Sequence, residues 1–217
     1  MTNGTNNKLN DKHGDKQVDS GRRGLLVVTC AAGGVAGLAT AGALVSTFQP
    51  SERAKAAGAP VEVDISGLAP GEMKTVEWRG KPVWILKRLP EMVASLKAKK
   101  TDAELADPYS LRKPDELTPV YARKNIEFRS IKEDVLVVVG ICSHLGCSPG
   151  TKFQPGPQPS LPDDWQGGFL CPCHGSTFDL AGRVYKNKPA PDNLQVPRHM
   201  YVGASKLIIG KDEKGEA

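Results

Sequence analysis

The chain has 217 residues, of which 39% are hydrophobic, and this is enough for one medium-sized domain with an ordinary core and an appended segment. Its formal net charge is +5, from 29 basic and 24 acidic residues. Five of the basic residues precede the first apolar run, so the remainder is nearly balanced. This composition argues against a nucleic-acid-binding protein.

The first 48 residues predict a cytoplasmic tail followed by a membrane-spanning helix. Residues 1–23 are polar and lack apolar periodicity, which is typical of a disordered tail. Residues 24–48 contain no charged side chain. As a helix, 25–48 would rise roughly 36 Å, and a bilayer's hydrocarbon core is about 30 Å thick. Because basic residues are concentrated before the run, the positive-inside rule predicts a cytoplasmic N-terminus and an external C-terminal domain.

Arg22 and Arg23 stand just before the apolar run, in a segment that resembles a twin-arginine export signal. That route carries proteins that fold around a cofactor before they cross the membrane. An arginine pair beside an apolar segment also follows from membrane topology alone. After the run, residues 49–60 are small and polar without periodicity, and they predict a flexible hinge.

From residue 61 to residue 217 the chain has the short alternating and apolar runs of a mainly β domain. One soluble helix is predicted over 91–100, immediately after Pro90. Residues 148–170 contain five prolines and four glycines, which predict a surface insertion with little regular structure. The predicted strands are 61–65, 73–79, 82–87, 135–141 and 206–209.

Two short segments carry the residues expected to do chemistry, since each follows an apolar run and contains two cysteines and one histidine. Structural zinc usually takes four ligands, which would leave two of these six groups unused. Cysteine and histidine on both segments favour a [2Fe–2S] cluster with thiolates on one iron and imidazoles on the other. Spacing alone does not decide which cysteines bind the metal. The segments are Cys142-Ser143-His144-Leu145-Gly146-Cys147 and Cys171-Pro172-Cys173-His174-Gly175-Ser176.

These two segments resemble the ligand boxes of the Rieske protein family, in the form found in cytochrome bc complexes. The resemblance also covers the apolar run, the hinge and the region from residue 61 to the end. It implies a Rieske-type antiparallel β-sandwich with a small cluster-binding subdomain at about 137–195, plus one N-terminal transmembrane helix. It implies that one [2Fe–2S] cluster is bound by Cys142, His144, Cys171 and His174, and that Cys147 and Cys173 form a disulfide.

The resemblance also assigns residues around the cluster. His174 corresponds to the histidine that contacts the quinol and accepts its proton. Backbone amides around Gly146 and Gly175 and the hydroxyl of Ser176 are expected to donate hydrogen bonds to the cluster or its ligand sulfurs. Phe178 stands where many relatives have a tyrosine whose hydroxyl bonds a ligand sulfur. This replacement predicts a lower reduction potential.

Two surface features are expected beside the cluster. Leu145 resembles the residue that shields the cluster and docks into the quinol site, although a leucine packed beneath its own loop is an ordinary alternative. Pro189, Ala190 and Pro191 resemble the family's proline-rich loop, which covers the cluster from the other side and is rigid because proline fixes φ. Lys188 departs from the glycine that the family often has at the first corner of that loop.

With the predicted anchor, the resemblance implies the electron-transfer subunit of a quinol–cytochrome c oxidoreductase in the bacterial inner membrane. Such a subunit accepts an electron from quinol and passes it to a c-type cytochrome, coupled to proton translocation. The implied partners are cytochrome b, a c-type cytochrome subunit, quinol and lipid, in a dimeric complex without nucleic acid. The alternative is the Rieske small subunit of a periplasmic molybdenum oxidase of the arsenite-oxidising type.

Overall fold

A computed structural model describes residues 19–216. The chain divides into two compact units between Ser51 and Glu52. Most of the predicted cytoplasmic tail, residues 1–18, lies outside the described residues. Each unit is therefore described separately, beginning with residue 19.

The first unit contains one long apolar helix, α1, which spans Ser20–Ser46. It begins earlier than the predicted run because the Asp19 carboxylate caps it, accepting hydrogen bonds from the amides of Gly21 and Arg22 at 3.1 and 3.2 Å. The arginine pair therefore lies in its first turn. Within residues 19–216, α1 is the one helix that is long and apolar enough to cross a membrane.

The second unit begins with a short helix, α2, at Glu52–Gly58, inside the segment predicted as a hinge. Alanine and lysine favour helix. The Lys55 ammonium lies 2.7 Å from the Glu52 carboxylate, one turn earlier on the same face. The predicted hinge therefore contains seven helical residues.

The rest of the second unit is built from antiparallel strands. They form three three-stranded sheets and one hairpin: the terminal sheet β1-β9-β8, the central sheet β2-β3-β4, the short sheet β5-β6-β7 and the hairpin β10-β11. Their bounds are β1 Val61–Asp64, β2 Met73–Trp78, β3 Lys81–Lys87, β4 Val135–Val139, β5 Gly150–Lys152, β6 Gly168–Leu170, β7 Thr177–Asp179, β8 His199–Val202, β9 Lys206–Ile209, β10 Lys211–Asp212 and β11 Gly215–Glu216.

Short helices occupy the connection between β3 and β4. The predicted helix after Pro90 is present, although it ends at Lys97 rather than at residue 100. Proline suits its first turn, where an amide would have no partner inside the helix. The helices are α3 Pro90–Lys97, a 3₁₀ turn Asp102–Glu104, α4 Pro114–Leu117 and α5 Val120–Arg123.

The central sheet forms the middle layer of a sandwich. Alternate residues of a strand face opposite sides of its sheet, and β3 is buried on both. Val83 and Ile85 pack with Leu207 of the terminal sheet. Trp84 packs on the other side with Phe169 of the short sheet, with ring centroids 5.2 Å apart. This arrangement confirms the predicted mainly β, antiparallel fold.

The proline-rich insertion is anchored at both ends. Its ends form β5 and β6, and the residues between these strands lack helix and strand, as predicted. Trp165 is 1% exposed, donates from its indole nitrogen to the carbonyl of Lys152 at 2.8 Å, and packs on the ring of Tyr185 with centroids 5.4 Å apart. The insertion therefore contributes a core residue of its own.

Two buried arginines hold the turn that follows β7. The Arg88 guanidinium donates to the carbonyl of Leu180, and that of Arg129 donates to the carbonyl of Ala181 at 3.0 Å. Burial lowers the pKa of Arg88 to about 9 and that of Arg129 to about 10, so both remain charged at neutral pH. The turn is fixed because the carbonyls of Leu180 and Ala181 each accept from a charged donor.

Candidate metal centre

The first ligand loop, residues 142–147, leaves the end of β4 and turns back on itself. The amide of Cys142 donates to the carbonyl of Cys147 at 2.8 Å, and the amide of Gly146 donates to the carbonyl of Cys142 at 3.1 Å. Gly146 has a φ of 82°, a left-handed conformation that glycine adopts without a steric cost. The two hydrogen bonds close the loop.

The second ligand loop, residues 171–176, connects β6 to β7 and repeats this backbone pattern. The amide of Cys171 donates to the carbonyl of Ser176 at 2.8 Å, and the amide of Gly175 donates to the carbonyl of Cys171 at 3.0 Å. Gly175 also has a left-handed φ, 73°. The two loops are therefore equivalent in their hydrogen bonding, residue for residue.

Two free thiols lie at the base of the loops. Cys142 and Cys171 are each 2% exposed, and their side chains are in hydrogen-bonding contact. Burial raises the pKa of the Cys142 thiol, and hydrogen bonds from the amide of His144 and the hydroxyl of Ser176 act in the opposite direction. Donors are thus already aimed at this sulfur.

Two imidazole rings lie at the tip of the same loops. The ring centroids of His144 and His174 are 4.7 Å apart and the ring planes are nearly perpendicular, at 85°. His144 is half-buried and His174 is exposed. The loops thus hold a pair of thiols in the interior and a pair of imidazoles near solvent.

The remaining two cysteines of the loops form a disulfide. Cys147 and Cys173 are bonded, and their Cα atoms are 6.7 Å apart. Their sulfurs and that of Cys171 all lie within 4.8 Å of one another. A sulfur in a disulfide is not available as a thiolate ligand. The donors left in the two loops are Cys142, Cys171, His144 and His174.

This donor set fits a Rieske-type [2Fe–2S] cluster. Such a cluster takes two thiolates on one iron and two imidazoles on the other. The two thiols are adjacent and buried, whereas the two imidazoles are adjacent and nearer to solvent. The separation of sulfur and nitrogen donors into two pairs therefore matches the chemistry of the cluster.

The proline loop packs against the ligand loops through its central residue. Ala190 is 3% exposed and shares a core with Cys142 and Cys171. Its amide donates to the Ser176 hydroxyl oxygen at 3.0 Å. Ser176 thus accepts from the proline loop and donates toward the sulfur of Cys142. On either side of Ala190, Pro189 and Pro191 are exposed.

The other residues expected around the cluster occupy contrasting environments. Leu145 is 71% exposed at the tip of its loop and does not pack beneath it. Phe178 is completely buried in the core that contains Cys142 and Cys171. The amides of Gly146 and Gly175 donate to carbonyl oxygens within their own loops.

One connection in the site was not predicted from the sequence. The Ser143 hydroxyl donates to the carbonyl of Asp192 at 2.7 Å and accepts from the amide of Asp192 at 3.2 Å. The Asp192 carboxylate also pairs with Lys113 at 3.0 Å. These bonds join the first ligand loop to the end of the proline loop. The two residues are 49 positions apart, so no local pattern indicated the contact.

Comparison with known proteins identifies the family. Residues 107–208 match the model of the Rieske [2Fe–2S] domain. The ubiquinol–cytochrome c reductase iron–sulfur subunit of Allochromatium vinosum is 49% identical over 191 residues, which cover 88% of each chain. The chain belongs to the Rieske iron–sulfur subunits of ubiquinol–cytochrome c reductase. As a member of this family it is a [2Fe–2S] protein.

A second bacterial relative and a chain from a solved structure are also similar to this chain. The subunit from Bradyrhizobium diazoefficiens is 39% identical over 186 residues, which cover 86% of this chain and 92% of the relative. A chain from a solved structure of hyperthermophilic respiratory Complex III is 27% identical with a TM-score of 0.43, and the match covers 83% of this chain and 97% of that chain. The matches to the Allochromatium and Bradyrhizobium subunits thus cover 88% and 92% of those relatives.

Proposed function

We propose that the chain is the [2Fe–2S] electron-transfer subunit of a quinol–cytochrome c oxidoreductase. In this role it accepts an electron from quinol and passes it to a c-type cytochrome, coupled to proton translocation. The observation that carries the proposal is the pair of imidazoles held near solvent above a pair of buried thiols. The names of the bacterial relatives support it, and they do not favour the molybdenum oxidase.

The proposed ligands are Cys142 and Cys171 for one iron and His144 and His174 for the other. When bound, the cluster supplies a one-electron carrier whose potential is raised because neutral imidazoles replace two thiolates. Ser176 favours the charge gained on reduction, since its hydroxyl is placed to donate to the sulfur of Cys142. The disulfide holds the two loops together at their surface ends.

The exposed ring of His174 is the proposed contact for quinol. A ring nitrogen that does not bind iron can accept a hydrogen bond, and then a proton, from a quinol hydroxyl. Leu145 lies at the exposed tip of the neighbouring loop, where its apolar side chain can exclude water from that contact. The two residues thus supply a proton acceptor and a water-excluding group.

The proposed placement is a single-pass protein of the bacterial inner membrane. Helix α1 is the anchor, with the N-terminus in the cytoplasm and the domain of residues 61–217 in the periplasm. Export through the twin-arginine route, signalled by Arg22 and Arg23, suits a domain that folds around a cluster. Residues 49–60, which include α2, are the proposed hinge that lets the domain reach both partners.

The proposed partners are a cytochrome b subunit at the quinol site and a c-type cytochrome subunit as electron acceptor, in a dimeric complex. Isolation of the tagged chain from its native membrane in mild detergent tests this assembly. We expect b-type and c-type haems to co-purify, together with the rhombic EPR signal of a reduced Rieske cluster. Co-purification with a molybdenum subunit and no b-type haem would overturn the proposal.

A further inference from the structure

The position of Cys171 has a chemical consequence beyond metal binding. Its sulfur lies within 4.8 Å of both sulfurs of the Cys147–Cys173 disulfide. Cys171 is itself a free cysteine. A sulfur bound to iron is occupied, but in a chain without a cluster the same atom is a thiol next to a disulfide. Thiols in this position exchange with disulfides through their thiolate form.

We propose that Cys171 carries out an intramolecular thiol–disulfide exchange in the cluster-free chain. The Cys171 thiol loses its proton to water, and its sulfur attacks Sγ of Cys147. The Cys171–Cys147 bond forms as the Cys147–Cys173 bond breaks, and the Cys173 thiolate leaves and takes up a proton from water. One thiol is consumed and one is produced, so the reaction needs neither an oxidant nor a reductant.

Cys171 is the attacking residue because its sulfur lies close to both sulfurs of the disulfide. The other free thiol in the loops is that of Cys142, which is equally buried and contacts Cys171. The group of sulfurs within 4.8 Å of one another contains Cys171 and both disulfide partners but not Cys142. The two free thiols are therefore not equivalent toward the disulfide.

Burial of the two disulfide partners sets the direction of attack. Cys173 is exposed, whereas Cys147 is half-buried. Attack on Cys147 expels the Cys173 thiolate into water, which stabilises its charge. Attack on Cys173 would instead join two cysteines separated by Pro172 alone, whose ring fixes φ. Exchange with Cys147 is favoured on both grounds.

The consequence for assembly rests on the proposed ligand role of Cys171. A chain that exchanges its disulfide has lost one of its four proposed ligands to a covalent bond. Cluster binding before or during formation of the Cys147–Cys173 disulfide avoids this loss. Export of a domain that already holds its cluster achieves that order.

Two matched variants of the full-length chain test the inference. Cys142→Ser and Cys171→Ser each remove one proposed ligand, so both are expected to be cluster-free, but only Cys142→Ser keeps the attacking thiol. Cys30→Ala in both backgrounds removes the fifth cysteine, which lies in α1. Each chain is held anaerobically in detergent at mildly alkaline pH, alkylated, digested without reductant and mapped by mass spectrometry.

In Cys142→Ser we expect Cys147 bonded to Cys171, with alkylation of Cys173 exceeding that in Cys171→Ser by roughly tenfold or more. Retention of the Cys147–Cys173 disulfide in Cys142→Ser would overturn the inference. In Cys171→Ser, a yield of Cys142-containing disulfides equal to the yield of the Cys147–Cys171 disulfide in Cys142→Ser would also overturn the inference. That outcome indicates exchange in an unfolded chain.

Measuring the iron content of each variant tests the proposed ligand role of Cys171 independently of the exchange. Full iron in Cys171→Ser would refute the proposed ligand role, and with it the consequence for assembly. The disulfide map of Cys142→Ser tests the exchange itself in either case. A wild-type chain freed of its cluster by chelation should give the same map as Cys142→Ser, and an unchanged disulfide there would count against exchange.

Discussion

The ligand loops and the terminal sheet place histidine in opposite surroundings. His144 and His174 lie at the tip of their loops, with ring centroids 4.7 Å apart. His199, in β8, is 1% exposed, and its Nδ1 lies 2.8 Å from the carbonyl oxygen of Pro197. Burial lowers the pKa of His199 to about 4. The loop histidines are available as ligands, whereas His199 is a neutral part of the core.

This difference shows how burial decides the role of a titratable side chain. At neutral pH a histidine at the surface can bind a metal or take up a proton. A histidine in the interior must stay neutral because its charged form would lose its hydration. Two aromatic rings also lie beside His199: the ring centroids of Tyr121 and Tyr201 are 5.6 Å and 6.4 Å from that of its imidazole.

Removal of a loop histidine should have the largest effect. His144→Ala and His174→Ala should each lose the cluster completely, because either change removes one of the two proposed imidazole ligands. His199→Asn should keep it. Iron content and the EPR spectrum of the reduced protein measure the outcome. A cluster retained in either loop variant, or lost in His199→Asn, would break the contrast between the loops and the terminal sheet.

Acidification tests the conclusion that the buried His199 is neutral in the folded chain. The pKa of His199 is about 4 in the folded chain and about 6.5 in an unfolded one, so the unfolded chain binds the proton first as the pH falls. Stability from this group is present above pH 6.5 and is lost between pH 6.5 and 4, by about 3 kcal/mol. Denaturant unfolding at several pH values should show this slope, and His199→Asn should flatten it. An equal slope in the variant would assign the loss to other groups.

Ser176→Ala should weaken the second ligand loop at two points. It removes the hydroxyl that is placed to donate to Cys142, and it leaves the buried amide of Ala190 without its acceptor. The expected loss of unfolding free energy is about 2 kcal/mol, together with a lower reduction potential. Thermal unfolding and protein-film voltammetry measure the two effects. Ser148→Ala, at an exposed serine, is the control. Equal changes in unfolding free energy and reduction potential in the two variants would mean that the hydrogen bonds of Ser176 do not contribute to either.

Leu145→Ala should affect docking without altering the cluster. The side chain is 71% exposed, so its removal leaves the core intact, while loss of the apolar contact proposed at the quinol site should slow turnover by roughly tenfold. Leu111→Ala, at a leucine that is 73% exposed, is the matched control and should be neutral. Quinol-dependent cytochrome reduction is the assay. Equal rates for the two variants would argue against a docking role for Leu145.

Phe178→Tyr should have the smallest effect. A hydroxyl added in the core that contains Cys142 can donate to a ligand sulfur and favour the reduced cluster by about 1 kcal/mol, or about 40 mV for one electron. Phe128→Tyr places a hydroxyl in a separate core cluster and should leave the potential unchanged. Protein-film voltammetry compares the two, and an unchanged or lower potential for Phe178→Tyr would refute the expectation.

The sequence predicted the larger elements of the fold well. The strands of the central sheet are recognisable because a short, continuous run of β-branched and other apolar residues, such as Val135–Val139, is typical of a buried strand. The short sheet was missed because its strands have three residues each, too few to show a period of two. Helix α2 was missed because its seven residues carry no apolar face.

The candidate site also has one part that the sequence predicted and one part that it did not. Its six cysteines and histidines are recognisable from two local segments. Their arrangement required the fold, because contact of Cys142 with Cys171 joins residues from two separate loops. The bonds between Ser143 and Asp192, and the packing of Trp165 on Tyr185, join distant parts of the chain and have no local signal. Long-range contacts of single side chains are therefore what sequence patterns could not supply.

The anchoring of the insertion by Trp165 offers a fixed attachment point for a probe of the proposed domain motion. The amide of Gly156 donates to the carbonyl of Trp165 at 2.8 Å, so the segment leaves and rejoins the domain at one fixed point. Asp163, within it, is exposed. A spin label or fluorophore attached to a cysteine introduced at Asp163 would move together with the domain. It would not alter the two ligand loops. Distances from such a label to the membrane surface would report directly on the domain motion proposed for the hinge at residues 49–60.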